Sequence, residues 1–424
     1  MFIFYIYWLI SPILWVAISI LSIFNSKIRH HWFHQYSSIK NAQSILNQKK
    51  NTKDVVLFHA ASTGEFEQLK PILKKINRSK YFILITFFSP TIFKIENKTN
   101  LADAVCYHPF DLPWSAFIFF KKLNIKYYII TRNDLWPNHL LIAKNIGVKT
   151  VLINANLYRS SDYKKWPNNL IMRLIFSYID LILTGSYRLQ KNLSKITSKD
   201  KIIVTGDSRI DQVLERKNLN NKNLLPDVFK NSKNIILGSI IPSDYNIIFN
   251  SFKEFYHQGD KSIQEKNHRI IIVPHEIIAS ELLKIESKLD NIGLSFSYYS
   301  KQNQLINPKV IIIDKIGILA DLYKYSDLAY IGAGFSTGIH SIIEPAIYNN
   351  IVSFGPNYSI VDMAVDLIEK KISKLINNQT DFISTLEILD NDDQLNLKKI
   401  EMKKFISKQT LASDNIIKSI FDYA

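Results

Sequence analysis

The 424-residue chain is 47% apolar and 21% charged, a globular mix that excludes a disordered, collagen-like or coiled-coil protein. A lone cysteine, Cys106, excludes a disulfide framework and a cysteine-rich zinc site. Positions 1–215 carry 29 basic and 13 acidic residues and positions 216–424 carry 24 of each, so the whole +16 excess lies in the first half. A one-sided positive field implies an anionic partner for that half; a lysine-rich composition of low-GC origin accounts for the lysines but poorly for the asymmetry.

Residues 2–24 contain no charge. As a helix they span roughly 34 Å at about 1.5 Å per residue, enough for a hydrocarbon core of about 30 Å. Lys27, Arg29, His30 and His31 follow directly, which by the positive-inside rule places that end and everything after it in the cytoplasm. A signal peptide needs a basic start and a small-residue cleavage site, and neither is seen. Ser11 and Pro12 predict a kink in a spanning helix, so a helix lying in the interface is the alternative.

From residue 54 short apolar runs alternate with longer amphipathic ones. Predicted strands are 55–59, 82–87, 127–131, 150–154, 181–184 and 202–205; after a polar stretch at 218–233 a second series runs 235–238, 270–273, 310–313, 328–331 and 351–354. Strands alternating with helices predict parallel sheets covered on both faces. The expected division is an anchor at 1–26, a domain at 27–217, a linker at 218–233 and a second domain at 234–424, whose last helix is a candidate to pack back on the first domain. Ligands of such α/β sheets bind at the carboxyl ends of strands, and a cleft between two doubly wound domains suits two substrates. Neither a dinucleotide fingerprint, a P-loop nor a clustered metal-ligand motif is present, so no protein-bound metal or cofactor is expected.

Four constellations carry chemistry. In His59-Ala-Ala-Ser-Thr-Gly-Glu65 a strand enters a small-residue turn and a helix running to about residue 76, with Glu65 in its first turn. That placement suits a general base; it equally suits an acid stabilised by the helix dipole. His108-Pro-Phe-Asp-Leu-Pro113 accompanies Thr131-Arg-Asn-Asp-Leu-Trp-Pro-Asn138, where Asp134 stands between strand and helix as a functional carboxylate or an N-cap. Val204-Thr-Gly-Asp-Ser-Arg-Ile-Asp211 offers Arg209 to an anionic group, or to solvent. Ile331-Gly-Ala-Gly-Phe-Ser-Thr-Gly-Ile-His-Ser-Ile-Ile-Glu-Pro345, with Phe354-Gly-Pro-Asn357, reads as a strand, a glycine-rich loop and a helix beginning near Ser341. Exposed amides and the helix end predict an anion cradle for a nucleotide phosphate, with Glu344 accepting hydrogen bonds from ribose hydroxyls.

The ordered blocks HAASTGEF, YHPFDLPW, DLWPN, INANLYRSS, VTGDSRID, PHE (274–276), DKIGILADLY, GAGFSTGIHSIIEPA and FGPN resemble the 3-deoxy-D-manno-octulosonic acid (Kdo) transferases, glycosyltransferase family 30, and the spellings PHE and GFSTGIH resemble its Bacteroidetes branch. The resemblance runs from the apolar segment to about residue 370. It implies an α/β GT-B fold, two doubly wound Rossmann-like domains facing across a cleft with an N-terminal membrane helix. It implies inverting transfer of Kdo from CMP-Kdo to a lipid A precursor of the lipid IVA type in lipopolysaccharide core biosynthesis, on the cytoplasmic side of the inner membrane and without a metal. It places the general base on Glu65 and transition-state support on Asp134 and Arg209. It places CMP on Pro274 and His275, on Ile316, Gly317 and Ile318, and on Gly338, His340, Ser341, Ile342, Ile343 and Glu344.

The chain departs from the family pattern at four positions: Asp134 stands where Glu is usual, Arg209 where Lys is usual, Ser341 where Asn is usual, and Met363, beside Asp362, where an acid is usual. The expected partners are CMP-Kdo, the lipid A precursor and an anionic membrane surface, with no nucleic acid. The alternatives are a GT-B membrane glycosyltransferase with another nucleotide-sugar donor, and a non-catalytic membrane-surface binding protein built on the same fold.

Overall fold

A computed structural model describes residues 2–48, 52–157, 168–219, 223–304, 307–409 and 411–422. Tyr158 to Ser161 of the INANLYRSS block, and 220–222 of the expected linker, lie outside them. The chain forms two compact units, Met1–Gln212 with Leu411–Ala424, and Val213–Thr410. The division thus falls inside the helix Ser208–Leu219, ahead of the polar stretch expected to be the linker.

The first unit holds β1 (Asp54–Ala60), β2 (Tyr81–Phe87), β3 (Ala104–Tyr107), β4 (Ile125–Thr131), β5 (Lys149–Ala155), β6 (Leu181–Thr184) and β7 (Ile202–Val204). They form one parallel sheet in the order β3-β2-β1-β4-β5-β6-β7. Alternate residues serve opposite faces. Leu57, Leu84, Tyr128 and Leu152 pack with Ile39, Ala42 and Phe119 on one side. Phe58, Ile85, Ile129 and Ile153 pack with Phe66, Leu69 and Ile72 on the other. Burial on both faces is why these strands read as unbroken apolar runs rather than as alternation.

The second unit repeats the plan. Its strands are β8 (Lys233–Ile240), β9 (His268–Pro274), β10 (Phe296–Tyr298), β11 (Val310–Ile312), β12 (Leu328–Ile331), β13 (Ile351–Phe354) and β14 (Lys374–Leu375), ordered β10-β11-β9-β8-β12-β13-β14. The strand order reverses between β1 and β4 in the first sheet and between β8 and β12 in the second. At such a switch point the loops leave in opposite directions and open a crevice.

The last helix, Ala412–Asp422, belongs to the first unit. Ile416 and Ile420 are fully buried in its core, each contributing about 1.5–3 kcal/mol. Phe421 stacks on Tyr81 at 4.2 Å, and Asp211 accepts from the amides of Leu411 (3.2 Å) and Ser413 (2.6 Å).

The apolar segment is one helix, Phe2–Phe24, with Pro12 inside it. Its stretch Tyr7–Phe24 has a mean hydropathy of 2.0 and is long and apolar enough to cross a membrane. Asn25 interrupts it, and the Asn25 carboxamide oxygen accepts from the amides of Lys27 and Ile28 at the head of a second helix, Ser26–Gln48. That helix buries His31, Gln35, Ile39, Ala42 and Leu46 against the first sheet.

Candidate active site

In the first unit the chemistry gathers at the carboxyl ends of β1 and β4, the two strands of the switch point. Ser62 caps the helix Thr63–Lys75, and Glu65 is the third residue of a reciprocal capping box. The Glu65 carboxylate accepts from the amides of Ala61 (2.6 Å) and Ser62 (3.3 Å). The helix-end reading of Glu65 is realised in this capping box, which stands at the carboxyl end of β1. Burial raises its carboxyl above the usual range; the Ala61 amide opposes this, the charge of Asp134 adds to it, and His59 and the Ser62 amide oppose it, with the net direction upward.

Asp134 is not an N-cap. The helix Pro137–Asn145 is entered through Trp136 with Pro137 at its first position, and Asp134 Oδ2 instead faces His59 Nε2 at 2.7 Å and accepts from Trp136 Nε1 at 2.9 Å. His59 is fully buried, and its Nδ1 lies 3.0 Å from Thr86 Oγ1, the side chain opposite it in the β1–β2 register. Burial raises the Asp134 carboxyl, but the His59 hydrogen bond and charge, then Trp136, outweigh it and leave it below the ordinary value.

Arg209 is neither a bare surface charge nor unclaimed. Its Nε reaches Asp207 Oδ1 at 3.0 Å and Oδ2 at 2.8 Å, and its amide donates to Oδ1 at 2.9 Å. Burial raises the Asp207 carboxyl, and Arg209 with Arg132 more than reverses it. A carboxylate thus orients the guanidinium, a planar group that a lysine would not replace.

In the second unit the expected nucleotide residues follow three strands at their carboxyl ends: Pro274 closes β9 and His275 follows it, Ile316, Gly317 and Ile318 follow the neighbouring β11, and Gly338 to Glu344 follow β12, which β8 separates from β9. His275 and His340 stack with centroids 4.6 Å apart. His340 Nε2 is buried without a hydrogen-bond partner among the described residues. Burial, then the neighbouring His275, lowers its proton affinity. Gly317 has φ +86° in an open turn, and Ile316 is 86% exposed.

Two expectations for the loop after β12 are corrected. The helix begins at Ile343, not near Ser341, and spans only Ile343–Ile347. Several of the glycine-loop amides are already engaged: those of Gly332, Ala333, Gly338 and Ile339 donate to Gly238 O, Asp244 Oδ2, Ala333 O and Asn357 O. Ahead of the helix, the Ile339 amide and Gly334 O tie the loop to Asn357. The glycines serve packing instead, since a Cβ on Gly334 would meet the Gly355 nitrogen at 2.5 Å. Glu344 is taken by Ser341 Oγ and lies 3.8 Å from Arg216.

Three residues here were given no role from sequence. His59 opens a quoted block, but its partner lies 75 positions away. Asp207 sits two residues before Arg209. Asp244 accepts from the amides of Ala333 and Ile241 (both 2.9 Å) and from the Tyr330 hydroxyl (3.0 Å), tying β8 to β12 across the second switch point; the only local signal is an acid four residues after β8's end and two after Pro242.

Two doubly wound parallel sheets of seven strands each, with carboxylates at the first switch point and a glycine-packed loop at the second, define a GT-B-class α/β protein. A family model described as 3-Deoxy-D-manno-octulosonic-acid transferase (kdotransferase) matches residues 30–212. The chain is 27% identical over 373 residues to the 3-deoxy-D-manno-octulosonic acid transferase of Chlamydia muridarum, covering 85% of this chain and 84% of that one. It is also 27% identical over 340 residues to that of Aquifex aeolicus, covering 80% and 86%. Among solved structures, a glycosyltransferase from Rickettsia africae aligns with TM-score 0.58 at 13% identity, covering 88% of this chain and 98% of that one. The UDP-GlcNAc 2-epimerase of Methanocaldococcus jannaschii aligns with TM-score 0.52 at 17% identity, covering 81% and 94%. These likenesses show the fold.

Proposed function

We propose that this chain transfers Kdo from CMP-Kdo to a lipid A precursor of the lipid IVA type, with inversion, at the cytoplasmic face of the inner membrane. The observation that carries the reading is Glu65, held at the first switch point beside Asp134 with a carboxyl above the ordinary range, in a chain whose residues 30–212 match the family. A carboxylate there is a competent base for a sugar hydroxyl. Glu65 takes the hydroxyl proton as the oxygen attacks the anomeric carbon, the bond to CMP breaks, and the leaving phosphate carries off the electron pair. Asp134 keeps the local field negative, so Glu65 accepts a proton more readily. Arg209, oriented by Asp207, supports the charge that develops on the phosphate.

The second unit holds the donor. His275 and His340 offer a stacked pair of rings, and His340 Nε2 offers an unspent polar atom. Ile316, Gly317 and Ile318 form an open turn beyond the carboxyl end of β11. Glu344 and Ser341 are placed to exchange their mutual hydrogen bond for ribose hydroxyls. The first unit's positive excess suits an acceptor bearing phosphates and an anionic membrane surface.

Incubation with CMP-Kdo and tetra-acylated lipid A precursor, with products sized by mass spectrometry, tests the reading. The expected product gains at least one Kdo mass. CMP should raise the melting temperature and UDP should not, since a ligand at 100 times its Kd stabilises by about 2.7 kcal/mol. Stabilisation by UDP alone favours another nucleotide-sugar donor, and unchanged precursor removes the assignment.

A further inference from the structure

The helix Phe2–Phe24 has its polarity turned outside in. Tyr7, Ser11, Leu14, Ile18 and Ser22 recur at helical spacing as its more sheltered residues, with Ser11 at 0% and Ser22 at 4% exposure. Leu9 (77%), Ile13 (67%) and Ile23 (64%) stand outward. Hydroxyls face protein and large apolar side chains face the surroundings, the reverse of a helix bathed in water.

The helix does not run away from its domain. In one continuous helix Trp15 and Trp32 would stand about 26 Å apart along the axis; their rings are 6.1 Å apart. The break at Asn25 therefore folds the first helix back along the second. Near its far end the Tyr7 hydroxyl donates to Asp111 Oδ2 at 3.0 Å. Asp111 also accepts from the amides of Asn138 (3.2 Å) and His139 (3.1 Å), which open the helix after Asp134. His31 and Gln35 of the second helix hold the same loop, through His108 O at 2.8 Å and the Phe110 amide at 3.3 Å.

A crossing helix must carry Tyr7 through the hydrocarbon, some 26 Å from Phe24. Here Tyr7 stays beside a folded loop rich in buried polar groups, which cannot enter lipid without large cost. We propose that this helix lies in the plane of one leaflet, flat against its own domain, and that it sets the bilayer beside the carboxyl ends of β3 and β4, where Asp134 stands. The occupant of the outward face is lipid. Exposed Lys27 and Arg29 at the turn complement anionic headgroups. The helix starting two residues after Asp111 exposes a second apolar stripe, Trp114, Phe117 and Ile118. The inference rests on the membrane assignment above and adds how the membrane is met.

The test uses the full chain, whose native Cys106 is fully buried and silent to an impermeant maleimide. Phe2→Cys and Ser26→Cys are expressed singly and probed in inverted inner-membrane vesicles and in spheroplasts. Both positions are expected to react in inverted vesicles alone. Reaction of position 2 in spheroplasts alone overturns the in-plane seating while leaving the membrane assignment intact. Absence of the chain from the membrane fraction overturns both. A water-soluble dimer cross-linked through Leu9→Cys shows a second copy on that face and also overturns the inference.

Discussion

His59 Nε2 and Asp134 Oδ2 stand 2.7 Å apart, joining the ends of two adjacent parallel strands at the first switch point. The histidine is wholly buried and the aspartate partly open, so the contact fixes which way the carboxylate faces. Because an aspartate is one methylene shorter than a glutamate, the reach of Asp134 depends on this partner. His59→Ala should lower kcat by about tenfold to a hundredfold, the equivalent of about 1.4–3 kcal/mol in a charged hydrogen bond. His59→Gln, which keeps an N–H donor, should recover part of that, and KM for CMP-Kdo should hold. Equal loss in both variants would assign His59 a packing role only.

Glu65→Gln keeps hydrogen-bond acceptance at the helix end and removes the base. Transfer should fall to background while melting shifts by less than about 1 kcal/mol in equivalent stability. Persisting turnover would move the base elsewhere.

Glu65 and Asp134 respond to pH in opposite senses. The folded chain holds the Glu65 proton more tightly than the unfolded chain does. Its contribution to stability is therefore complete below the unfolded value of about 4.3 and is lost as pH rises through the raised folded value. Activity runs the other way: kcat should climb across that interval, above the ordinary carboxylate range, as the base ionises. Asp134, held low, contributes stability above about 3.9 that is lost as pH falls through its depressed folded value. An acid limb that lies in the ordinary carboxylate range in the native chain, or that does not move in Glu65→Asp, would contradict the assignment.

Gly334→Ala places a Cβ 2.5 Å from the Gly355 nitrogen and 2.6 Å from its Cα. Backbone cannot swing aside as a side chain does. A loss of about 1–3 kcal/mol is expected, together with loss of the CMP-induced melting shift. Gly64→Ala meets nothing within 4 Å and serves as the tolerated control.

Tyr7→Phe removes one hydroxyl and nothing else from the bond to Asp111. Membrane retention should be unchanged because the apolar face is intact. The helix should become more open to limited proteolysis, with a loss of about 1–2 kcal/mol in local stability. Unaltered cleavage would show the contact to be incidental.

Much of the fold is legible along the chain. Interior strands such as Leu181–Thr184, Leu328–Ile331 and Ile351–Phe354 are mainly apolar and buried at every position because both their faces are covered. The strands not anticipated, Ala104–Tyr107, Phe296–Tyr298 and Lys374–Leu375, all lie at sheet edges. Edge strands are short and paired on one side only, so their residues need not spell an unbroken apolar run.

Where chemistry could sit is legible locally, because the turn that follows a strand and the cap that opens a helix are written within a few residues: Ser62 with Glu65, Trp136 with Pro137, Gly206 before Arg209. Which of those side chains meet depends on folding. His59 finds Asp134 and Gly334 finds Gly355 through parallel register, and Tyr7 finds Asp111 across 104 positions because the chain reverses at Asn25. Parallel neighbours are brought together by crossover connections many residues long, so the partner that orients a carboxylate, turns a glycine into a packing necessity or lays a helix flat is not encoded beside it.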